Sequence, residues 1–213
     1  MKARSRCLAV ATAALAAAAC ASTVGATSSD NNKLAKSVLL GIGDFPHGWS
    51  DTKQKSDDGD HCLKPHFGDT YFALAEAETT LFSDGQVAFV SSFGNVYKSP
   101  AVAGGALDAV SFATVTKCLG DYFKGHQTSN IRYEGVAPRK LAFPHLGEHS
   151  RASRVIVQLR SKSGHTNVPF YVDAVLIQRK QLVGVLEFEE LSSPVGAKLE
   201  ERLARAVGQR MKQ

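Results

Sequence analysis

The stretch from residue 153 to residue 189 most constrains what this chain can fold into. Val155, Val157 and Leu159 alternate with polar neighbours over 153–161, a second apolar-rich run covers 168–179, and a third covers 182–189. Alternation at period two is the mark of a half-buried strand. Arg179-Lys180-Gln181 leaves room only for a tight connection between the last two strands, and its charges suit an exposed hairpin end. Strands joined this closely pair antiparallel, and the sheet they make must bury a face against another layer.

The rest of the chain supplies that layer. Over 33–42, Leu34, Val38, Leu39 and Ile42 recur at helical spacing before Gly41, Gly43 and Pro46 end the pattern. Residues 51–69 are polar and carry Gly59, Pro65 and Gly68, which predicts a loop with Cys62 inside it. Residues 73–97 alternate around a Ser83-Asp84-Gly85 turn, the pattern of a hairpin. Over 101–124, Val102, Ala106, Val110, Ala113, Val115 and Leu119 form one apolar stripe, predicting the main packing helix. A strand is expected over 131–141. Ser193-Pro194 marks the start of a last helix whose apolar face runs from Val195 through Leu203 and Val207 to Met211. The expected fold class is α+β, an antiparallel β-sheet packed against helices in the order αββαββββα.

The N-terminus reads as an export signal. Lys2, Arg4 and Arg6 form a cationic start, and an uncharged alanine-rich run from Leu8 to Ala19 follows. That run is too short to span a bilayer comfortably. Two processing routes fit. Ala17-Ala18-Ala19-Cys20 resembles the bacterial lipoprotein box, with Cys20 lipidated and a leader of 1–19. Val24-Gly25-Ala26 fits ordinary signal peptidase, with a leader of 1–26 and release of a secreted protein. Residues 27–32, the end of a small, polar stretch, read as a tether, and 33–213 as a single extracytoplasmic domain. With Cys7 in the leader and Cys20 at the lipid site, Cys62 and Cys118 are the thiols of the mature fold, and an oxidising compartment favours their pairing. The bridge would close a loop of about 55 residues and contribute about 3 to 4 kcal/mol.

Charge excludes more than it suggests. The net charge of +5 includes the three leader cations; without them 22 basic residues face 20 acidic ones, a net of +2. With no nucleic-acid-reading motif beside it, that balance points away from DNA and RNA. A hydrophobic share of 44% is enough to fill a core. No GxSxG elbow, P-loop or GxGxxG is present, and no cofactor is expected. His145-Leu146-Gly147-Glu148-His149 gathers two imidazoles and a carboxylate, but Pro144 and Gly147 disfavour the helix that would bring both imidazoles to one metal ion. Asp57, Asp58 and Asp60 lack the alternating ligands of a calcium loop. Trp49, the single tryptophan, reads as a plug at the core's edge or as one wall of a ligand cleft.

Leu39-Leu40 followed by Gly43-Asp44-Phe45-Pro46-His47-Gly48-Trp49 resembles the opening of many small exported proteins and lipoproteins of actinomycetes, and Pro144-His145-Leu146-Gly147-Glu148-His149-Ser150 is similar to a later segment of the same group. The resemblance implies a cell-envelope protein of α+β type, similar in outline to PsbP-like sandwiches and to the extracellular sensor domains of actinomycete receptor kinases. It implies no catalytic residues. The expected function is a non-enzymatic envelope binding module that contacts a small apolar ligand or an envelope partner near Trp49, held at the membrane through a lipid anchor if Cys20 is modified. The alternatives are a cell-wall hydrolase or transferase using His145, Glu148 and His149, and a purely structural or inhibitory partner protein.

Overall fold

The computed structural model describes residues 27–54, 62, 71–128, 130–163 and 166–213. The leader, Cys20 and the acidic cluster at 57–60 lie outside the described residues.

Among the described residues eight strands form one antiparallel sheet: β1 (Ser50–Asp51), β2 (Ala75–Glu78), β3 (Phe82–Ser83), β4 (Ala88–Val96), β5 (Ile131–Lys140), β6 (His149–Ser161), β7 (Asn167–Arg179) and β8 (Leu182–Leu191). The spatial order is β1-β3-β4-β8-β7-β6-β5, with β2 pairing alongside the far end of β4. The three strands that dominate the sequence pattern sit together as expected. β6 pairs β7 from His149↔Gln178 to Arg160↔Asn167, and β7 pairs β8 from Phe170↔Leu191 to Arg179↔Leu182. Lys180 takes a left-handed φ of 51° in the two-residue turn between β7 and β8. The expected hairpin over 73–97 is present, but its first arm is split between β2 and β3.

Residues 172–178 and 182–188 are buried without a break, because helices cover both faces of the central strands. Alternation sorts these residues between two cores. Val172, Ala174, Leu176, Val183 and Val185 pack under α2 (Pro100–Ala109) and α3 (Phe112–Gly125). Val175, Ile177, Leu182, Leu186 and Phe188 pack under α1 (Ser28–Ser37) and α4 (Ala197–Arg210). The result is a helix–sheet–helix sandwich. Among the described residues no single helix is long and apolar enough to cross a membrane.

Local chemistry moved three helix boundaries from their expected places. Residues 27–32, read as a tether, form the cap and first half of α1. Thr27 Oγ1 accepts the Asp30 N–H at 3.2 Å, and Asp30 Oδ2 accepts the Thr27 N–H at 3.3 Å. This reciprocal capping starts the helix within a polar stretch that composition alone assigns to linker. The helix expected over 101–124 is two helices meeting at 51°. Ser99 Oγ accepts the Val102 N–H at the head of α2, and Ser111 Oγ accepts the Thr114 N–H at the head of α3. Ser111 thus turns from a mid-helix position into a second N-cap. The last helix begins at Ala197 after a Gly196 cap, and Pro194 stays outside it.

Two contacts fix α1 and α4 in place, one against the sheet and one against the segment that follows α1. A Cβ at Gly94 of β4 would collide with the Ala35 carbonyl oxygen, so α1 lies directly on the strand. At the end of α4, Arg210 donates to the Leu39 carbonyl at 2.7 Å and to both Asp44 carboxylate oxygens. Cys62 and Cys118 form a disulfide with Cα atoms 5.4 Å apart, which ties Cys62 to α3.

Candidate functional site

β5 stops at Lys140, opposite Ser153 of β6. One more hydrogen bond follows, from the Leu141 N–H to the Ala152 carbonyl at 3.3 Å, and the chain then leaves the sheet. That departure exposes a short edge of β6, and the break between α2 and α3 lies over it. The two irregularities leave a cavity of about 420 Å³. Val110, Val115, Leu141, Phe143, Pro144, Ala152 and Leu176 make its apolar walls. Its polar lining comes from Ser111, Lys140, Ser150, Arg151 and Ser153. A mostly apolar hollow with a few convergent polar groups, within the usual volume range, is the form of a small-molecule site.

Several of the polar groups already have partners. Ser111 Oγ caps α3, and Ser150 Oγ accepts the Leu146 N–H at 3.0 Å. The Arg151 guanidinium reaches the carbonyls of Leu107 and Asp108 at 3.4 and 3.5 Å and pairs with the Asp108 carboxylate. It thereby satisfies the carbonyl end of α2. A broader, shallower hollow lies over the disulfide, where the Lys117–Asp121 pair neutralises its wall.

A second feature is a buried charge cluster beneath the first turn of α4. Arg154 of β6 donates through Nε and Nη2 to the two oxygens of Asp173 on β7 at 2.7 and 2.6 Å. Glu200 of α4 places Oε1 3.7 Å from the same guanidinium. Asp173 is 1% exposed and Glu200 2%. The Glu200 carboxyl is pushed up to about 8, first by burial and then by the charge of Asp173 and a hydrogen bond to it; Arg154 offsets part of the rise. Glu200 is therefore a neutral acid at pH 7, which lets three ionisable groups share one dry site. Tyr171 flanks the cluster, its ring centroid 5.7 Å from the Arg154 guanidinium carbon.

The residues singled out in the sequence fall elsewhere. Trp49 stacks on Phe45 with ring centroids 4.9 Å apart, and Phe45 packs on Phe82, so the tryptophan closes the rim of the core under α1 and α4. It lines neither hollow. The His145 to His149 segment clasps the β7–β8 turn. Gly147 has φ of 74°, where a Cβ would strike the Gln178 carbonyl oxygen. The Glu148 N–H donates to that same carbonyl at 2.8 Å, and its Oε2 accepts the Lys180 N–H at 2.9 Å. His145 and His149 are exposed. Among the described residues no group of three or more His, Cys, Asp or Glu is placed to hold a metal ion.

Sequence reasoning missed both the cavity and the cluster. The cluster had one signal, an aspartate at 173 in the middle of an otherwise apolar strand. The cavity had none, because it arises where a strand ends and a helix breaks.

No protein-family model matches the chain, and no curated protein matches it. Among solved structures it is similar to the extracellular domain of PknH from Mycobacterium tuberculosis, at 10% identity, over 85% of this chain and 97% of that one, with a TM-score of 0.45. The functional reading therefore rests on the site itself.

Proposed function

We propose that the chain is an extracytoplasmic, non-enzymatic binding module that holds a small, largely apolar ligand in the cavity at the open edge of β6. The observation that carries this reading is the cavity: about 420 Å³, walled by seven apolar residues and reached past a few serines and two cations. The export signal supports a site outside the cytoplasm, whether Cys20 is lipidated or the chain is released after Ala26. The hydrolase reading draws less support, since Glu148 Oε2 accepts the Lys180 N–H and braces the β7–β8 turn.

The test uses the chain without its leader and the neutral fluorophore N-phenyl-1-naphthylamine. Saturable binding near one equivalent is expected, with loss of binding in Val110→Trp, whose indole fills the hollow, while the melting temperature is kept. Absence of saturable binding, or unchanged binding by the filled variant, overturns the assignment.

A further inference from the structure

We propose that the ligand of this cavity is an extended peptide segment, which resumes β5 along the open edge of β6 and seats one bulky apolar side chain in the hollow. The inference rests on the cavity being a ligand site and adds the chemical class of what it takes.

The main chain of β6 carries the argument. Lys140 lies opposite Ser153, and the Leu141 N–H donates to the Ala152 carbonyl. In an antiparallel pair, successive residues turn their main-chain groups to opposite sides, so the even-numbered residues of β6 face β5 and the odd-numbered ones face β7. Where β5 has left, the Ser150 N–H, the Ser150 carbonyl and the Ala152 N–H face the gap. None of the three has a partner among the described residues. Both residues line the cavity. Ala152 sends its methyl group into the core beneath α1 and α4, and the Ser150 hydroxyl accepts the Leu146 N–H, so both border the hollow largely through main chain. Ala152 is only 8% exposed, and main-chain groups of so buried a residue are nearly always paired.

Other polar groups of the lining are occupied, since Ser111 caps α3 and Arg151 closes the carbonyl end of α2. What the hollow leaves unmatched is a strand edge, two donors with an acceptor between them. A hydrocarbon offers this edge nothing, and an alcohol or a fatty acid offers one polar end. A peptide offers an N–H and a carbonyl on one residue at strand spacing, beside an apolar side chain, which is the chemistry of strand addition. The pleat then sets the pattern. A ligand residue that exchanges two hydrogen bonds with Ser150 turns its side chain to the same face as Ser150, towards α1 and α4. Its neighbours point to the opposite face, where the α2–α3 break roofs the hollow. The hydrogen bonds and the apolar anchor therefore come from adjacent residues of the peptide.

The experiment measures displacement of N-phenyl-1-naphthylamine from the leaderless chain by acetyl-Ala-Phe-Ala-amide, by its all-alanine analogue, and by two depsipeptides in which lactate replaces one or the other flanking alanine. The phenylalanine peptide is expected to displace the fluorophore, and the all-alanine peptide to bind at least tenfold more weakly. Lactate exchanges one N–H for an ester oxygen, and at one of the two positions it should weaken binding about three- to tenfold. Hydrogen exchange followed by NMR should slow at the Ser150 amide at least tenfold more with the peptide bound than with the fluorophore bound. Equal binding of the peptide and both depsipeptides, equal binding of the all-alanine analogue, or a Ser150 amide that the peptide protects no better than the fluorophore does, overturns the strand-addition assignment. If the fluorophore binds and the phenylalanine peptide never displaces it, the peptide assignment is overturned while the cavity remains a ligand site; if the fluorophore itself never binds, the cavity reading falls with it.

Discussion

Replacing Glu200 with glutamine should make the protein more stable at high pH, by an amount the structure specifies. Glu200 lies at 2% exposure in the first turn of α4, facing Arg154 from β6, Asp173 from β7 and Glu190 from β8. Its carboxyl sits at about 8 in the folded chain, against an ordinary value of 4.5. Below pH 4.5 the group is protonated in both the folded and unfolded chains and adds no pH dependence. Between 4.5 and about 8 the folded chain keeps a proton that the unfolded chain loses. Stability then falls as pH rises, by at most about 1.4 kcal/mol per unit. The accumulated cost is about 3 kcal/mol at pH 7 and levels off above pH 8. Glutamine keeps the shape and cannot ionise. Urea unfolding of both proteins from pH 4 to 9, followed by circular dichroism, reads the effect, because titrating groups away from this cluster cancel in the difference. The stability of Glu200→Gln minus that of the parent should rise with pH and reach its plateau near pH 8. A difference that stays flat, or one that falls as pH rises, would refute a protonated Glu200 in the folded state.

Exchanging both Cys62 and Cys118 for serine should cost about 3 to 4 kcal/mol, since the bridge spans 56 residues of chain. Reduced parent protein should melt with the double variant, and unchanged melting would show that the bridge does not constrain the unfolded chain. Gly94→Ala should cost about 3 kcal/mol, a fall of roughly 10 °C in melting temperature, because the new methyl group forces α1 off β4. Gly125→Ala, whose Cβ meets nothing within 4 Å, is the matched control.

Much of the architecture was legible because its signals are local. The alternation around Val155, Val157 and Leu159, the turn at Lys180, the apolar face of α4 and the Cys62–Cys118 pair each depend on residues close in sequence or on chemistry with few alternatives. Local patterns also misled where a single hydroxyl outweighed them. The stripe from Val102 to Leu119 continues across Ser111 at helical spacing, so its periodicity does not register the bend that the second cap produces. Thr27 and Asp30 start α1 through two hydrogen bonds that leave no trace in hydrophobicity.

Sequence by itself determined the antiparallel strands, their tight turn, the helix-covered character of the sheet and the disulfide, because periodicity and pairing chemistry act over a few residues. The tertiary structure alone decided which core each strand residue enters, where β5 leaves the sheet, and that the α2–α3 break sits over that gap to open a cavity. It alone also brought Arg154, Asp173 and Glu200 together. The reason is the same for all of these: they depend on long-range strand register and helix docking, and a buried charge or a cavity wall acquires its meaning only from neighbours that the chain supplies from far away.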